Sequence, residues 1–207
     1  MPVWSKKIFC AFCICFILNL AACSSQPELP PLGPTAKILA FGDSLTFGTG
    51  ATPGESYPAV LARLIGREVI NAGIPGEVSA DGLRRLPEIL DRENPSLVLL
   101  CHGGNDIIQR LNPDQTTSNL RAMAQLCQAR GIAVALLAVP GKNLQLKADP
   151  LYEQLAKELS IPSENILIPD ILRQNALKAD YVHPNAAGYN ALAVGLADFL
   201  RKSGALP

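Results

Sequence analysis

Three side chains in this chain could together carry out nucleophilic catalysis: a serine and an acid–histidine pair. Ser44 follows the apolar run Ile38–Phe41, and Asp180 lies three residues before His183, one of only two histidines. A carboxylate at that offset can hold imidazole Nδ1–H and leave Nε2 free to accept a proton from a hydroxyl. By spacing alone the pair could be a surface ion pair, and serine is common in turns for backbone reasons. Catalysis therefore requires a fold that brings Ser44 and His183 together.

Two glycine-containing loops could supply hydrogen-bond donors to such a site. The first contains Gly73 and Gly76, where the backbone can approach a ligand closely. The second, Gly103–Asp106, contains Asn105, whose side-chain amide could donate to an oxyanion. An ordinary strand-to-helix turn explains either loop when it is considered alone. His102, beside the second loop, could touch substrate, but a structural role is the preferred interpretation.

Apolar residues close to these loops could bind the acyl part of a substrate. Ile107, Ile108 and Leu111 follow the second loop and are predicted to line such a pocket. Leu144 and Leu146, further along the chain, offer the same possibility. Apolar side chains at all these positions could equally cap the core, so the length of the acyl chain stays open.

The elements that must position these residues alternate between strand and helix. The predicted strands are Ile38–Phe41, Glu68–Asn71, Leu97–Cys101, Ala133–Ala138 and Ile166–Ile168, and the predicted helices are Tyr57–Ile65, Ser79–Asp91, Asp114–Arg130, Asp149–Leu159 and Asn185–Arg201. This alternation predicts an α/β fold: a three-layer α/β/α sandwich with a flavodoxin-like, five-stranded parallel sheet. Because the strands of such a sheet end at one edge, the loops described above should meet there.

With these motifs in this order, the chain resembles the SGNH (GDSL-type) hydrolase family over nearly all of Lys37–Arg201. The matching segments are Gly42-Asp43-Ser44-Leu45, Gly73, Gly103-Gly104-Asn105-Asp106 and Asp180-x-x-His183. Within that family it is most similar to the arylesterase, lysophospholipase and acyl-CoA thioesterase branch, through Arg84-Arg-Leu-Pro87 and His183-Pro-Asn185. The resemblance implies the SGNH hydrolase fold.

The resemblance also implies a role for each matched residue. Ser44 would be the nucleophile, His183 the general base and then acid, and Asp180 the residue that orients His183. The oxyanion hole would consist of the backbone N–H groups of Ser44 and Gly73 and the side-chain amide of Asn105. No metal or organic cofactor is implied.

The activity expected from these roles is hydrolysis of carboxylic esters or thioesters through an acyl-enzyme. A short or medium acyl or aryl ester is the preferred substrate class, and a lysophospholipid is plausible. Activity is expected to fall below about pH 6–7, where a histidine base becomes protonated. Two alternatives stay open: a carbohydrate O-acetylesterase, and a non-catalytic envelope lipoprotein that binds a partner.

The composition of the 207-residue chain argues against several other classes of protein. Lys plus Arg and Asp plus Glu both number 18, so no basic footprint for nucleic acid is present. Glycine fingerprints of dinucleotide or P-loop sites and the ligand spacing of zinc sites are missing from the sequence. Four of the six cysteines precede residue 24, and the other two, Cys101 and Cys127, are predicted to be buried thiols.

The amino terminus has the pattern of a secretory signal. Lys6 and Lys7 precede the apolar run Ile8–Leu18, which is short for a membrane span. The following Leu20-Ala-Ala-Cys23 resembles a bacterial lipobox, in which the cysteine is acylated. An ordinary cleavage site and a retained anchor helix are the alternatives. Ser24 after the cysteine implies the outer membrane of the cell envelope, facing the periplasm.

This interpretation divides the chain into a lipoprotein signal peptide at 1–22, a lipid-anchored Pro-rich linker at 23–35 and a hydrolase domain at 36–207. A semi-rigid linker of that length would place the domain roughly 30–40 Å from the anchor. The enzyme could then still reach the lipid surface. The small domain and the linker are compatible with a monomer.

Overall fold

Five parallel strands form the single sheet of the computed structural model, which describes residues 27–207. The predicted signal peptide and Cys23 lie outside the described residues. The strands are β1 (Ile38–Gly42), β2 (Val69–Gly73), β3 (Leu97–Cys101), β4 (Ala133–Leu137) and β5 (Ser163–Glu164), in the spatial order β2-β1-β3-β4-β5. This is the flavodoxin-like order, so the predicted fold class is confirmed.

Helices cover both faces of this sheet. They are α1 (Ser44–Phe47), α2 (Tyr57–Ile65), α3 (Ser79–Glu93), α4 (Gly104–Gln109), α5 (Pro113–Ala129), α6 (Pro150–Leu159), α7 (Leu167–Arg173) and α8 (Ala186–Lys202), with 3-10 turns at Pro53–Glu55 and Asn175–Leu177. Helices α2, α7 and α8 pack together on one side, and α3, α5 and α6 pack together on the other. Within residues 27–207, none of the helices is long and apolar enough to cross a membrane.

The two central strands form the core and end at the same level. Every residue of β1 and β3 is buried, as expected for a parallel sheet with helices on both faces. In the register of the sheet, Gly42 at the end of β1 pairs with Gly73 of β2 and with Cys101 of β3. The loops that follow these three strands therefore start side by side.

The prediction of a fifth strand at Ile166–Ile168 is wrong. The strand is the two-residue β5, and the apolar run begins α7 instead. The carboxylate of Glu164 explains the difference, since it accepts hydrogen bonds from the backbone N–H groups of Ile166 (3.0 Å) and Leu167 (2.9 Å). Those donors have no partner within a helix, so capping them favours helix over strand. A short apolar run does not by itself distinguish the two.

The second half of the predicted linker packs onto the domain, so it is not a free spacer. Leu29 and Leu32 are buried. Their backbone N–H groups donate to the carbonyl oxygens of Ser203 (2.7 Å) and Ala205 (2.9 Å), just after α8. Two leucines three residues apart give this Pro-rich segment an apolar side, and burying that side outweighs the freedom of an open chain.

Both cysteines of the domain are free and buried, as predicted. Cys101 ends β3, and Cys127 lies in α5. Burial raises the pKa of the Cys127 thiol to about 12 and raises the pKa of Cys101 as well. Neither thiol is therefore a reactive nucleophile at neutral pH.

Candidate active site

The carboxyl edge of the sheet brings the predicted serine and histidine into contact. Ser44 begins α1 directly after β1, and His183 lies just before α8. Ser44 Oγ is 2.9 Å from His183 Nε2, although the two residues are 139 positions apart in the chain. On the other side of the ring, His183 Nδ1 is 2.8 Å from Asp180 Oδ2. The three side chains form one continuous hydrogen-bonded chain.

Asp180 fixes both the orientation and the tautomer of His183. Its Oδ1 accepts the backbone N–H groups of Val182 and His183, each at 2.9 Å, so the carboxylate also closes its own turn. Burial alone would raise the pKa of Asp180, but the hydrogen bonds from His183 and the backbone outweigh it and hold that pKa below its ordinary value. The ionised carboxylate can only accept, so Nδ1 donates to it. His183 Nε2 is then the acceptor for the Ser44 hydroxyl.

Asp43 holds the short helix that presents Ser44. Its Oδ1 accepts the backbone N–H of Leu45 at 3.0 Å, and its carbonyl oxygen accepts the N–H of Phe47 at 2.9 Å. The carboxyl group is buried, and this burial raises its pKa. The backbone N–H of Ser44 has no acceptor within residues 27–207. It remains available to a ligand beside the serine hydroxyl.

Asn105 lies in the same cavity as Ser44 and His183. It is the second residue of α4, and its Nδ2 donates one hydrogen bond of 2.9 Å to the carbonyl oxygen of Glu77. An amide nitrogen carries two protons, so one N–H is left for a substrate oxygen. The placement of Ser44 and Asn105 agrees with the predicted oxyanion hole.

The structure does not agree with Gly73 as the third oxyanion donor. The N–H of Gly73 already donates to Asn71 Oδ1 at 3.0 Å, and the residue packs so closely on α1 that a Cβ would lie 2.1 Å from the Phe47 nitrogen. Gly73 is a packing glycine at the end of β2.

Gly76, three residues later, is the better candidate for that donor. It has φ of +80° in a turn that Glu77 N–H closes on the Ile74 carbonyl oxygen at 3.2 Å, as in a type II turn with proline before glycine. Within the described part of the chain, the N–H of Gly76 has no acceptor. The dipeptide Pro75-Gly76 is the sequence signal that could have identified this turn.

An ion pair between a buried glutamate and a partly buried arginine, which was not predicted, lies beneath these loops. The guanidinium of Arg85 donates to both carboxylate oxygens of Glu77 at 2.6 Å, and also to the carbonyl oxygens of Gly42 (3.2 Å) and Ala72 (2.9 Å). One side chain thus ties together the ends of β1 and β2 and the loop that carries Glu77. Because the Glu77 carbonyl oxygen accepts from Asn105, the pair also positions that amide.

His102 completes this buried group and has the structural role that was the preferred prediction. Its side chain is fully buried, its Nδ1 accepts the Gly103 N–H at 3.1 Å, and its Nε2 lies 3.0 Å from Glu77 Oε2. His102 does not line the cavity that contains Ser44. It braces the start of the loop that carries Asn105.

Replacing Glu77 by glutamine is expected to destabilise the fold by about 2–4 kcal/mol at pH 7, because Arg85 loses its ionised partner. Burial alone would raise the pKa of Glu77, but the hydrogen bonds from His102 and Arg85 lower it below its ordinary value of 4.5. The carboxylate therefore contributes stability above about pH 4.5, and this contribution is lost as the pH falls through the lowered pKa. Urea unfolding of both proteins at pH 7 and pH 3.5 measures the difference. A deficit of the same size at both pH values would contradict the assignment.

Replacing Asn105 by alanine is expected to lower kcat for ester hydrolysis by roughly 10²–10³-fold, the usual effect of removing one oxyanion donor. Steady-state kinetics checks this expectation. Asn112→Ala is the matched control. Asn112 caps α5 by accepting a hydrogen bond from the N–H of Asp114 at 2.8 Å, and it has no role in the expected reaction. That variant should lose about 1 kcal/mol of stability and keep its kcat. Equal losses of kcat in the two variants would point to a general structural effect.

The cavity beside Ser44 has a volume of about 240 Å³ and mainly apolar walls. Ile107 and Ile108 line it, in agreement with the sequence prediction, and Leu146 does so too. Leu111 does not, because the chain turns away after α4, and Leu111 lines a smaller neighbouring depression. Leu144 is fully exposed. Wall residues that were not predicted are Leu45, Val139, Pro140, Leu172, Tyr181 and Val182, with Lys142 at one side.

A comparison with known families shows the family of this chain. Residues 40–191, which include the serine, the amide and the acid–histidine pair, match the GDSL-like lipase/acylhydrolase family. The chain belongs to this family. The match begins within β1 and ends within α8, so it covers strands β2 to β5 completely and every residue of the site described above.

Relatives of this GDSL-family protein are ester hydrolases. It is 30% identical over 181 residues to esterase TesA of Pseudomonas aeruginosa, covering 82% of this chain and 90% of that protein. It is 31% identical over 156 residues to thioesterase 1/protease 1/lysophospholipase L1 of Escherichia coli K12, covering 72% of this chain and 75% of that protein. The prediction of a carboxylic ester hydrolase is confirmed at this level.

Solved structures of the family share the fold. A psychrotrophic esterase, EstA, from Pseudoalteromonas superimposes with a TM-score of 0.74 at 25% identity, over 80% of this chain and 97% of that chain. The SGNH-hydrolase family esterase AlinE4 superimposes with a TM-score of 0.63 at 31% identity, over 83% of this chain and 98% of that chain. The predicted SGNH hydrolase fold is therefore confirmed.

Proposed function

We propose that this GDSL-family hydrolase is a serine esterase in which Ser44 is the nucleophile, His183 the general base and acid, and Asp180 the residue that orients His183. One observation carries the proposal: the continuous chain of hydrogen bonds from Asp180 through His183 to Ser44 Oγ, at 2.8 and 2.9 Å, beside an apolar cavity. Distances of this size allow proton transfer without a rearrangement of the site.

The first half of the proposed reaction forms an acyl-enzyme. The Ser44 proton passes to His183 Nε2 while Oγ forms a bond to the carbonyl carbon of the ester, and the carbonyl electron pair moves onto oxygen. In this proposal the N–H groups of Ser44 and Gly76 and the amide of Asn105 donate hydrogen bonds to that oxyanion. When the intermediate collapses, the bond to the leaving alcohol or thiol breaks, and the leaving group takes the proton from His183.

The second half returns the enzyme to its starting state. A water molecule gives a proton to His183 Nε2 as its oxygen adds to the acyl carbon, and a second oxyanion forms in the same hole. Collapse breaks the bond to Ser44 Oγ, which recovers the proton from His183. The product is the free carboxylic acid, and no redox or metal step is required by this balance.

The cavity walls favour a short or medium acyl chain or an aryl group as the part of the substrate next to Ser44. Ile107, Ile108 and Leu146 present hydrocarbon to the bound group, whereas a sugar needs several polar partners. An acetylated carbohydrate is therefore the less favoured substrate class. Thioesters and lysophospholipids, which the names of its relatives mention, fit the same reaction and belong to the proposal. A purely binding role does not account for the hydrogen-bonded Ser44–His183–Asp180 arrangement.

A series of p-nitrophenyl esters from acetate to palmitate, offered to residues 24–207, tests the activity and defines the chain-length optimum. Turnover with a short or medium optimum, together with labelling of Ser44 by a fluorophosphonate, supports the proposal. A fluorophosphonate reacts with an activated serine whatever acyl chain the enzyme prefers, so it tests the nucleophile independently of the substrate. Folded protein that neither hydrolyses any of the esters nor becomes labelled would refute the enzymatic proposal and favour the binding lipoprotein.

We also propose that the chain is a lipoprotein acylated at Cys23 after removal of a signal peptide at 1–22, and that it is held in the outer membrane facing the periplasm. The support is the lipobox-like segment Leu20-Ala-Ala-Cys23 and the Ser24 that follows it. The domain itself is expected to be monomeric. Incorporation of labelled palmitate into the full chain, and its loss in Cys23→Ser, tests the acylation. A label that persists in that variant would contradict it.

A further inference from the structure

The segment that leads to Cys23 docks at the edge of the domain opposite to the catalytic residues. Leu29 and Leu32 are held by the carbonyl oxygens of Ser203 and Ala205, which follow the carboxyl end of α8. His183 lies just before the other end of the same helix. The start of α8 lies at the carboxyl edge of the sheet, where His183 contacts Ser44, and its end lies at the amino edge, where Arg67, just before β2, binds the carbonyl oxygen of Leu32. The amino-terminal segment and the site are therefore at opposite poles.

The docking is specific and does not depend on apolar contact alone. Leu29 and Leu32 are 5% and 8% exposed. In addition to their own two backbone hydrogen bonds, Arg67 donates to the carbonyl oxygens of Leu32 and Gly33, both at 3.1 Å. Arg67 lies between α2 and β2, again at the amino edge of the sheet. Four hydrogen bonds and two buried leucines hold the segment in place.

The lengths involved restrict how the domain can face a membrane. Helix α8 has 17 residues, so its two ends are about 25 Å apart. Six residue steps separate Cys23 from Leu29, and a fully extended chain of that length spans at most about 20–22 Å. For the cavity to face the surface where Cys23 is attached, Leu29 would have to lie more than the length of α8 above that surface. The tether is too short for this orientation.

We propose that the docked segment turns the catalytic cavity away from the membrane that carries the anchor, so that the substrates are esters delivered from the aqueous side and not acyl lipids of the anchoring membrane. The inference rests on the proposed esterase site and on attachment at Cys23. It replaces the expectation from the sequence that a free linker of 23–35 lets the enzyme reach the lipid surface. Leu29, Leu32 and Arg67 then restrict the substrate class without touching the substrate.

An orientation measurement tests this proposal without reference to activity. In residues 23–207, Cys23 precedes the domain, while Cys101 and Cys127 are buried, so a maleimide lipid in phosphatidylcholine vesicles can be coupled at residue 23. The single tryptophan of the chain precedes this fragment. Energy transfer to a dansyl headgroup lipid is then measured from Glu28→Trp, at the amino pole, and from Tyr181→Trp, at the cavity mouth. Stronger transfer from Glu28→Trp supports the proposal, and equal or weaker transfer overturns it.

Hydrolysis of a long-chain fluorogenic ester placed in the same vesicles provides a second readout. A variant with about 30 Gly and Ser residues inserted after Ser25, and the undocked variant Leu29→Ser/Leu32→Ser, are expected to hydrolyse this ester at least tenfold faster than the unmodified tether. Equal rates with the short and long tethers would overturn the proposal. All three proteins should hydrolyse soluble p-nitrophenyl butyrate equally. Loss of that soluble activity in every form would instead refute the esterase assignment, and the energy-transfer result would still decide the orientation.

Discussion

Replacing Ser44 by alanine is expected to lower kcat for ester hydrolysis by roughly 10⁵–10⁶-fold. The hydroxyl that lies 2.9 Å from His183 Nε2 is the nucleophile that the protein supplies in the proposed mechanism, and alanine leaves no atom that can form the acyl-enzyme. The fold should be unaffected, since the helix that presents Ser44 is capped by the Asp43 carboxylate and not by the serine side chain. Steady-state kinetics with the best p-nitrophenyl ester, together with thermal unfolding, measures both quantities.

The double variant Ser44→Ala/His183→Ala sharpens this prediction. The effects of residues that act as one unit on kcat are not additive. The kcat of the double variant should therefore be lower than that of Ser44→Ala by only a small factor. Ser96→Ala is the matched control, because Ser96 is an exposed serine just before β3 at the opposite edge of the sheet. Its activity should equal that of the unmodified protein. Retention of more than about one part in a thousand of the activity in Ser44→Ala would remove this serine from the mechanism.

Replacing Asp180 by asparagine is expected to lower kcat by roughly 10³–10⁴-fold with little change in KM. The asparagine oxygen can still accept the two backbone N–H groups that Asp180 accepts, so the turn should survive. Its amide, however, would donate to His183 Nδ1 and move the ring proton to Nε2. In that tautomer the histidine cannot take the Ser44 proton.

The control for Asp180 is Asp198→Asn, which breaks an exposed pair with Arg201 at 2.8 Å and should change neither kcat nor stability measurably. Rates are compared at pH 7–8, where Asp180 is ionised because its pKa is below the ordinary value. The Asp180 side chain is 52% exposed, so water could replace it as an acceptor. A loss of less than tenfold in Asp180→Asn would indicate that water does so and that Asp180 is a turn residue only.

The residue types and their local spacing were sufficient to predict most of the candidate site residues. Ser44 and Asn105 each follow a strand. The Asp180–His183 pair precedes the last helix, and its two members are close enough to be recognised within one loop. Strand and helix alternation likewise predicted the sheet, because the periods of the two elements differ and parallel strands end at one edge. The apolar runs also gave β3 with its observed bounds and β1 to within one residue.

The sequence did not predict the environment of residues for which two environments are chemically reasonable. Gly73 and Gly76 lie in one loop, and the hydrogen bond from the Gly73 N–H to Asn71 shows which of the two N–H groups remains open. The run Ile166–Ile168 fits a strand or a helix, and the Glu164 carboxylate decides for the helix. Leu111 fits a pocket by composition, but the end of α4 directs it into the neighbouring depression.

The sequence alone therefore indicated the reaction type and the candidate residues, because the acid–histidine pair lies within one loop and the serine follows a strand that ends at the same predicted edge of the sheet. Tertiary structure alone decided how those residues are supported and where the amino-terminal segment docks. Arg85 contacts carbonyl groups 13 and 43 positions away, and Leu29 meets a carbonyl at the far end of the chain. Contacts of this kind depend on which surfaces the folded layers bring together, and no local pattern of residues encodes them.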